Sequence, residues 1–304
     1  MGLSSNLPAS IRQKLKNHAD QTGESVFQRV LDRYAIERLL YRISQSDFQD
    51  KFLLKGATLF TLWGGGPHRA TRDLDLLSFG SNQIPDLVDI FKTIISIPDP
   101  TDGLCFDPEN IKGALIKEDQ EYEGVRIQLL AKLGNIRLPI QIDIGFGDAM
   151  VPGPEEADFP TILDLPKPRL RVYPKEVVVA EKYQALVSLG MANSRLKDFY
   201  DIWHLANYSD FDGNHLSQAI AATFARRSTP LPSKLPQALT PEFYDDKTKI
   251  AQWKAFVKRA AINESDLTLA SVIGLLEQFL LPPTVALNSA GSYEATWTAQ
   301  GPWY

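Results

Sequence analysis

Residues 69–77 read RATRDLDLL, which sets two aspartates one residue apart. Side chains alternate along a β-strand, so Asp73 and Asp75 would project from one face. Carboxylates that close repel unless a cation sits between them. A hard divalent ion such as Mg²⁺ takes carboxylate oxygens and keeps positions open for phosphate. The pair is thus a candidate metal platform for nucleotidyl or phosphoryl transfer, set against the plainer reading of two solvated acids on a half-buried strand. Upstream, Lys55, Gly56, Ala57 and Thr58 lie at a turn into an expected helix, whose free N–H groups and positive dipole end suit a triphosphate. Downstream, Asp143 falls on the polar face of an alternating strand. It could supply the third carboxylate of a two-metal site, or be a surface acid paired with Arg137 or a lysine.

A second cluster lies further along. Glu181 and Lys182 fall on a helix whose apolar face includes Val178, Ala185, Leu186 and Leu189. From that flank the Lys182 head could reach into a cleft while its stem stays on apolar surface. Arg195, Asp198 and Asp201 follow at spacings of three and lie roughly along one face of the next helix. Lys197 and Asp201 form an i, i+4 pair, whose simpler reading is a modest surface salt bridge. The glycine-rich nucleotide loops, the zinc-protease HExxH and cysteine clusters are missing. The four histidines (His18, His68, His204, His215) have no metal-ligand spacing.

Elements to position these groups can be read from periodicity. Residues 8–20, 24–46 and 85–97 carry helical patterns; 52–54 is a short buried strand, 57–63 a helix stopped by Gly64-Gly65-Gly66-Pro67, and 72–78 a strand. Residues 125–133 and 136–145 flank Gly134-Asn135, a hairpin signal. In the second of these, Ile136, Leu138, Ile140, Ile142 and Ile144 point one way and Arg137, Pro139, Gln141 and Asp143 the other. Residues 149–174 hold six prolines and read as a long surface connection. Beyond it, 175–189, 196–208, 214–227, 247–261 and 265–281 read as helices. The expected class is α+β: an α/β domain with N-terminal helices over 1–150, then a mainly helical domain over 151–304.

The chain has 304 residues, about two domains' worth. A net charge of −5 excludes a protein that coats nucleic acid non-specifically, since that needs a basic surface overall. Cys105 is the single cysteine, which excludes an intrachain disulfide framework. The N-terminus lacks a signal-peptide apolar region. No apolar run approaches the roughly 18 residues of a membrane span; 269–281 is broken by Glu277 and meets Pro282-Pro283. The expected location is cytoplasmic, with no membrane partner.

The ordered set LLKGATLFTLW, RATRDLDLL, IQIDIGFGD and VVAEKYQALVSLGMANSRLKDFYDIWHL resembles the AbiEii nucleotidyltransferase toxin family. These are DNA polymerase β-like nucleotidyltransferases of toxin–antitoxin and phage-defence systems. The likeness covers about residues 8–210, and LDRYAIERLLYRIS is similar to the family's entry helix. It implies a nucleotidyltransferase-type mixed sheet with flanking helices, completed by the helical half. It implies Asp73 and Asp75 as the metal-binding pair, with Asp143 matching a third superfamily carboxylate. Lys182 matches the lysine that contacts nucleotide phosphates, and Asp198 a later essential aspartate; these two join Asp73 and Asp75 as expected catalytic residues. Lys55, Gly56, Ala57, Thr58, Thr71, Lys182 and Arg195 are the expected nucleotide-binding residues, with Ala57 departing from the family's Gly-Gly-Thr. The cofactor implied is Mg²⁺ or Mn²⁺, and the substrate an NTP. The implied acceptor is RNA, with the tRNA 3′ end foremost, and the implied partner a separately encoded antitoxin. A tRNA would need basic surface, for which Lys167, Arg169, Arg171, Arg226, Arg227, Lys254, Lys258 and Arg259 are candidates unless they are simply solvated. Two alternatives stand beside this: the same fold modifying a protein or a small molecule such as an antibiotic, or an inactive fold that only binds.

Overall fold

The computed structural model describes residues 6–64, 73–118, 122–262, 267–289 and 291–304. Thr71, with Arg69 and Arg72 beside it, lies outside them. The chain forms two compact units: Met1–Leu62, Ala70–Gly147 and Glu155–Val172 make the first, and Trp63–Arg69, Asp148–Pro154 and Tyr173–Tyr304 the second.

The first unit is α+β. Its order is α1 (Leu7–Thr22), α2 (Phe27–Ser44), β1 (Phe52–Lys55), the short α3 (Phe60–Trp63, shared at its last residue with the second unit), β2 (Asp73–Ser78), α4 (Ile84–Ile95), β3 (Leu104–Phe106), β4 (Lys112–Glu118), β5 (Tyr122–Leu133), β6 (Ile136–Phe146), β7 (Glu155–Asp158) and β8 (Arg169–Val172). The strands form a mixed sheet in the order β3-β5-β6-β2-β1-β8-β7, with β4 on β5. β2 runs parallel to β6 and antiparallel to β1, while β1 runs parallel to β8. β5 and β6 close over the expected two-residue turn, with Gly134 at φ +59°. The inner face is apolar: Leu74 and Leu76 of β2, Val125, Ile127 and Leu129 of β5, and Leu138, Ile140, Ile142 and Ile144 of β6 are all buried. α2 carries a buried ionic cluster beneath this layer, in which Arg38 meets Asp99 at 2.8 Å and Arg42 meets Asp102 at 2.6 Å.

The proline-rich connection differs from its reading as irregular surface chain: it contributes β7 and β8. Pro168 and Pro174 flank β8 and do not interrupt it, so Leu170 and Val172 can face inward while Arg169 and Arg171 face out. Arg169 is engaged by Glu156 at 2.7 Å, and Arg171 donates to the Asp50 carbonyl at 2.8 Å.

The second unit is mainly helical: α5 (Lys175–Leu189), α6 (Leu196–Tyr208), β9 (Phe211–Asp212), α7 (Gly213–Arg226), α8 (Pro241–Tyr244), α9 (Lys247–Ala260), α10 (Leu269–Asn288) and β10 (Thr296–Trp297). α10 runs through Pro282 and Pro283 where the sequence reading ends the helix. Proline removes the N–H that would bond four residues back. The carbonyl that Pro283 orphans is that of Phe279, and it accepts instead from the Trp303 indole N–H at 3.1 Å. The aromatic tail thus docks: Trp303 also stacks on Phe279, and Trp297 is fully buried with its indole donating to the Ala206 carbonyl at 2.8 Å. By length and composition α10 could cross a membrane, yet Val272, Ile273, Leu276, Phe279 and Leu280 are buried inside this unit.

Candidate active site

In the first unit, β2 presents Asp73 and Asp75 on the outer face, because Leu74 and Leu76 between and after them are committed to the core. The strand registers build a row across four strands. Lys55 of β1 stands opposite Asp75 of β2, Asp75 opposite Asp143 of β6, and Asp143 opposite Arg126 of β5. Two adjacent carboxylates are thus bracketed by two cations. Asp143 is held in a two-toothed ion pair: Arg126 Nε donates to Oδ1 at 2.8 Å and an Arg126 terminal nitrogen to Oδ2 at 2.7 Å. This partner is neither Arg137 nor a lysine. Its signal was present in the sequence, because counting outward from the Gly134-Asn135 turn brings Arg126 opposite Asp143.

Gly56 follows β1 at φ +74°, in the left-handed region open to glycine. A Cβ added there would overlap the Asp75 carboxylate, standing 2.6 Å from its Cγ and 2.7 Å from its Cβ. The turn and the aspartate are therefore in direct backbone-to-side-chain contact, and a side chain at 56 is excluded on two grounds. Ala57 and Thr58 continue into one 3₁₀ turn, Gly56–Leu59, before α3. Together with α3 it spans the helix expected over 57–63, but in two short pieces of which the first is 3₁₀, so the dipole contribution is small. The Thr58 hydroxyl is buried without a hydrogen-bond partner among the described residues.

In the second unit, Lys182 of α5 lies between two fully buried carboxylates of α6, with Nζ 2.8 Å from both Asp198 Oδ1 and Asp201 Oδ2. Asp198 also meets Arg195 Nε at 2.7 Å through its other oxygen. The i, i+4 reading of Lys197 with Asp201 gives way to this pairing: Asp201 faces the core, where a charge needs a buried partner. Asn193, also fully buried, caps the turn into α6 by accepting from the Arg195 N–H at 2.7 Å, and its carbonyl accepts from Lys249 Nζ at 2.7 Å. Nearby, Tyr173 donates to Asp148 at 2.8 Å; burial first, then Glu181 and Asp148, raise its phenol far above the ordinary value. Arg227, a candidate for RNA contact by sequence, donates to Gln184 at 3.0 Å and lies 3.9 Å from Asp148.

The structure brings together Lys55, Gly56, Asp75 and Asp143 in the first unit, with Asp73 on the same strand face, and Lys182, Arg195 and Asp198 in the second. Arg126 is the member absent from the sequence reading, and Asp201, read there as a partner of Lys197, holds Lys182 instead. Among the described residues, no three His, Cys, Asp or Glu side chains converge as a ready-made metal cage. Two carboxylates on one strand face do suit Mg²⁺, which takes one or two protein carboxylates and fills its sphere with water and substrate phosphate.

Two solved structures align over most of the chain. One is the crystal structure of JHP933 from Helicobacter pylori, at 15% identity and TM-score 0.45, covering 86% of this chain and 97% of that one. The other is an H. pylori crystal structure assigned as a nucleotidyltransferase, at 14% identity and TM-score 0.48, covering 86% and 98%. Comparison with curated protein sequences finds no match. The model of the nucleotidyl transferase AbiEii toxin family, of type IV toxin–antitoxin systems, matches residues 38–278, a span that holds both charge clusters. The chain belongs to the AbiEii nucleotidyl transferase toxin family.

Proposed function

We propose that the protein transfers a nucleotide from an NTP to an RNA acceptor, foremost the 3′ end of tRNA, and that a separately encoded antitoxin restrains it. The observation that carries the reading is the seating of Asp75 against the Gly56 turn, on the face it shares with Asp73. A metal-binding carboxylate and a backbone fit for phosphate are built there as one piece.

In this reading Asp73 and Asp75 hold Mg²⁺ or Mn²⁺, which would offset triphosphate charge and polarise the α-phosphoryl group. Asp143, opposite Asp75 and paired with Arg126, is the third carboxylate of that row. Lys55, Gly56, Ala57, Thr58 and Thr71 bind the nucleotide, the Thr58 hydroxyl finding there the partner it lacks. Lys182 and Arg195 serve the phosphates, and Asp198, with Asp201, holds the Lys182 ammonium as a fixed charge. An acceptor hydroxyl attacks the α-phosphorus, its proton passing to a carboxylate or water. The bond from the α-phosphorus to the bridging oxygen breaks, and pyrophosphate leaves. The chain's contribution is positioning and charge placement. The division into a catalytic domain over 1–150 and a completing domain over 151–304 belongs to this proposal.

The test incubates wild type and Asp75→Ala with each α-labelled NTP, Mg²⁺ and total RNA, then separates products by size. Label in a tRNA-sized band, lost in the variant, supports the reading. Label on protein or a small molecule, or none with any NTP, overturns it.

A further inference from the structure

The outer face of β5 and β6 forms the floor of an open concavity of about 750 Å³ that reaches Asp73 at one edge. Strand register orders this floor. Asp73, Gln141, Gln128 and Lys112 form one row across β2, β6, β5 and β4. Leu130 and Pro139 form the next outward-facing row, and Lys132 and Arg137 the last. At roughly 4.8 Å between strands and 3.3 Å per residue, Lys112 lies about 14 Å across the sheet from Asp73, and Arg137 about 13 Å along β6 from Gln141. Among the described residues, three cations thus rim the end away from the aspartates. Two acids among the described residues line the concavity. One is Asp73 itself, the other Asp107, which accepts from Asn110 at 2.9 Å and from the Glu109 N–H at 3.3 Å and lies 3.8 Å from Lys132.

We infer that this face is the docking surface for the phosphodiester backbone of the acceptor RNA strand, which runs from the Lys132–Arg137 rim over the glutamine floor to the Asp73–Asp75 pair. The inference rests on the nucleotidyl-transfer reading of those aspartates. Flexible cations on a rim match a chain of phosphates. Amides both donate and accept, as sugar hydroxyls and base edges require. A protein partner is the poorer fit, since protein interfaces favour aromatic anchors in an apolar core and, among the described residues, no aromatic side chain lines this concavity. The surface also reconciles an acidic chain with a polyanionic substrate: the positive charge needed is local.

The experiment uses the full chain with Lys112→Gln, Lys132→Gln and Arg137→Gln combined, and a charge-keeping control with Lys112→Arg, Lys132→Arg and Arg137→Lys. Binding of a fluorescein-labelled single-stranded RNA oligonucleotide is measured across a KCl series. The neutral variant should bind at least about tenfold more weakly at low salt, and its slope of log K against log salt should shrink by about 2, three contacts at about 0.7 each. The control should match wild type, and the KM for NTP should be unchanged in both. An unaltered affinity and slope in the neutral variant, or a wild type that binds no RNA, overturns the inference. So does a neutral variant that keeps RNA affinity but escapes its antitoxin, because the face then belongs to a protein. If wild type binds RNA through these residues yet transfers no label, the docking surface stands and the transfer reading falls.

Discussion

Gly56→Ala tests the coupling of the Gly56 turn to Asp75 on β2. Two costs add. Alanine at φ +74° leaves the preferred backbone regions, for roughly 1–2 kcal/mol. Its Cβ must also displace the Asp75 carboxyl group, whose Cγ and Cβ would stand 2.6 and 2.7 Å away, an overpacking of roughly 1–3 kcal/mol. A total of about 2–5 kcal/mol corresponds to a fall in Tm of roughly 4–20 °C for a unit of this size. Activity should fall further than stability, since a misplacement near 1 Å in a reacting constellation costs about 100-fold. Thermal melts and nucleotide transfer are followed for Gly56→Ala, Asp75→Ala and the double variant. Because Asp75→Ala removes the carboxyl group but keeps the Cβ contact and the backbone strain, Gly56→Ala should be milder in that background by about 1 kcal/mol. A Gly56→Ala protein with wild-type Tm and wild-type transfer, or costs that simply add in the double variant, would refute the proposed contact.

Three further outcomes follow from the packing. Lys182→Met removes the ammonium that two fully buried carboxylates share, while Asp198 keeps Arg195, and should destabilise by about 3–5 kcal/mol; denaturant melts should show Asp201→Asn relieving part of that loss. Glu37 is pushed up to about 7 by burial, against the pull of the Ile162 N–H and Arg38. The folded state therefore binds more protons than the unfolded chain between pH 4.5 and 7, and this contribution, at most about 3 kcal/mol, is complete below that window and lost as pH rises through it. Glu37→Gln should flatten the fall in Tm from pH 5 to 8, and an unchanged slope would show that Glu37 does not set it. Trp303→Phe keeps a ring on Phe279 but removes the donor to its freed carbonyl, and should cost about 1–3 kcal/mol by chemical denaturation.

The parts of the site legible in the sequence are those fixed by local periodicity. Alternation placed Asp73 and Asp75 on one face and Asp143 on the polar side of β6, because the leucines and isoleucines between them leave no other choice. The turn at Gly134-Asn135 was equally plain, and with it came the register that pairs Arg126 with Asp143. Pairing between helices was not legible: Asp201 looks like a surface partner of Lys197 until α6 is seen to turn it toward Lys182. Strand β8 was hidden because its flanking prolines dominate composition while only four residues carry its alternation. α10 outran its prolines because the acceptor they orphan is met by a tryptophan twenty residues on, a contact local rules cannot anticipate. The basic rim of Lys112, Lys132 and Arg137 comes from one strand and both arms of a hairpin, so no run of charge announces it.

Nucleotidyl transfer is tested most directly by following both ends of the triphosphate in one reaction with RNA. Label from the α-phosphate should enter the RNA while label from the γ-phosphate leaves as pyrophosphate, and Asp73→Asn and Asp75→Asn should each abolish both. γ-Label appearing in the acceptor, or full transfer by the two asparagine variants, would contradict it.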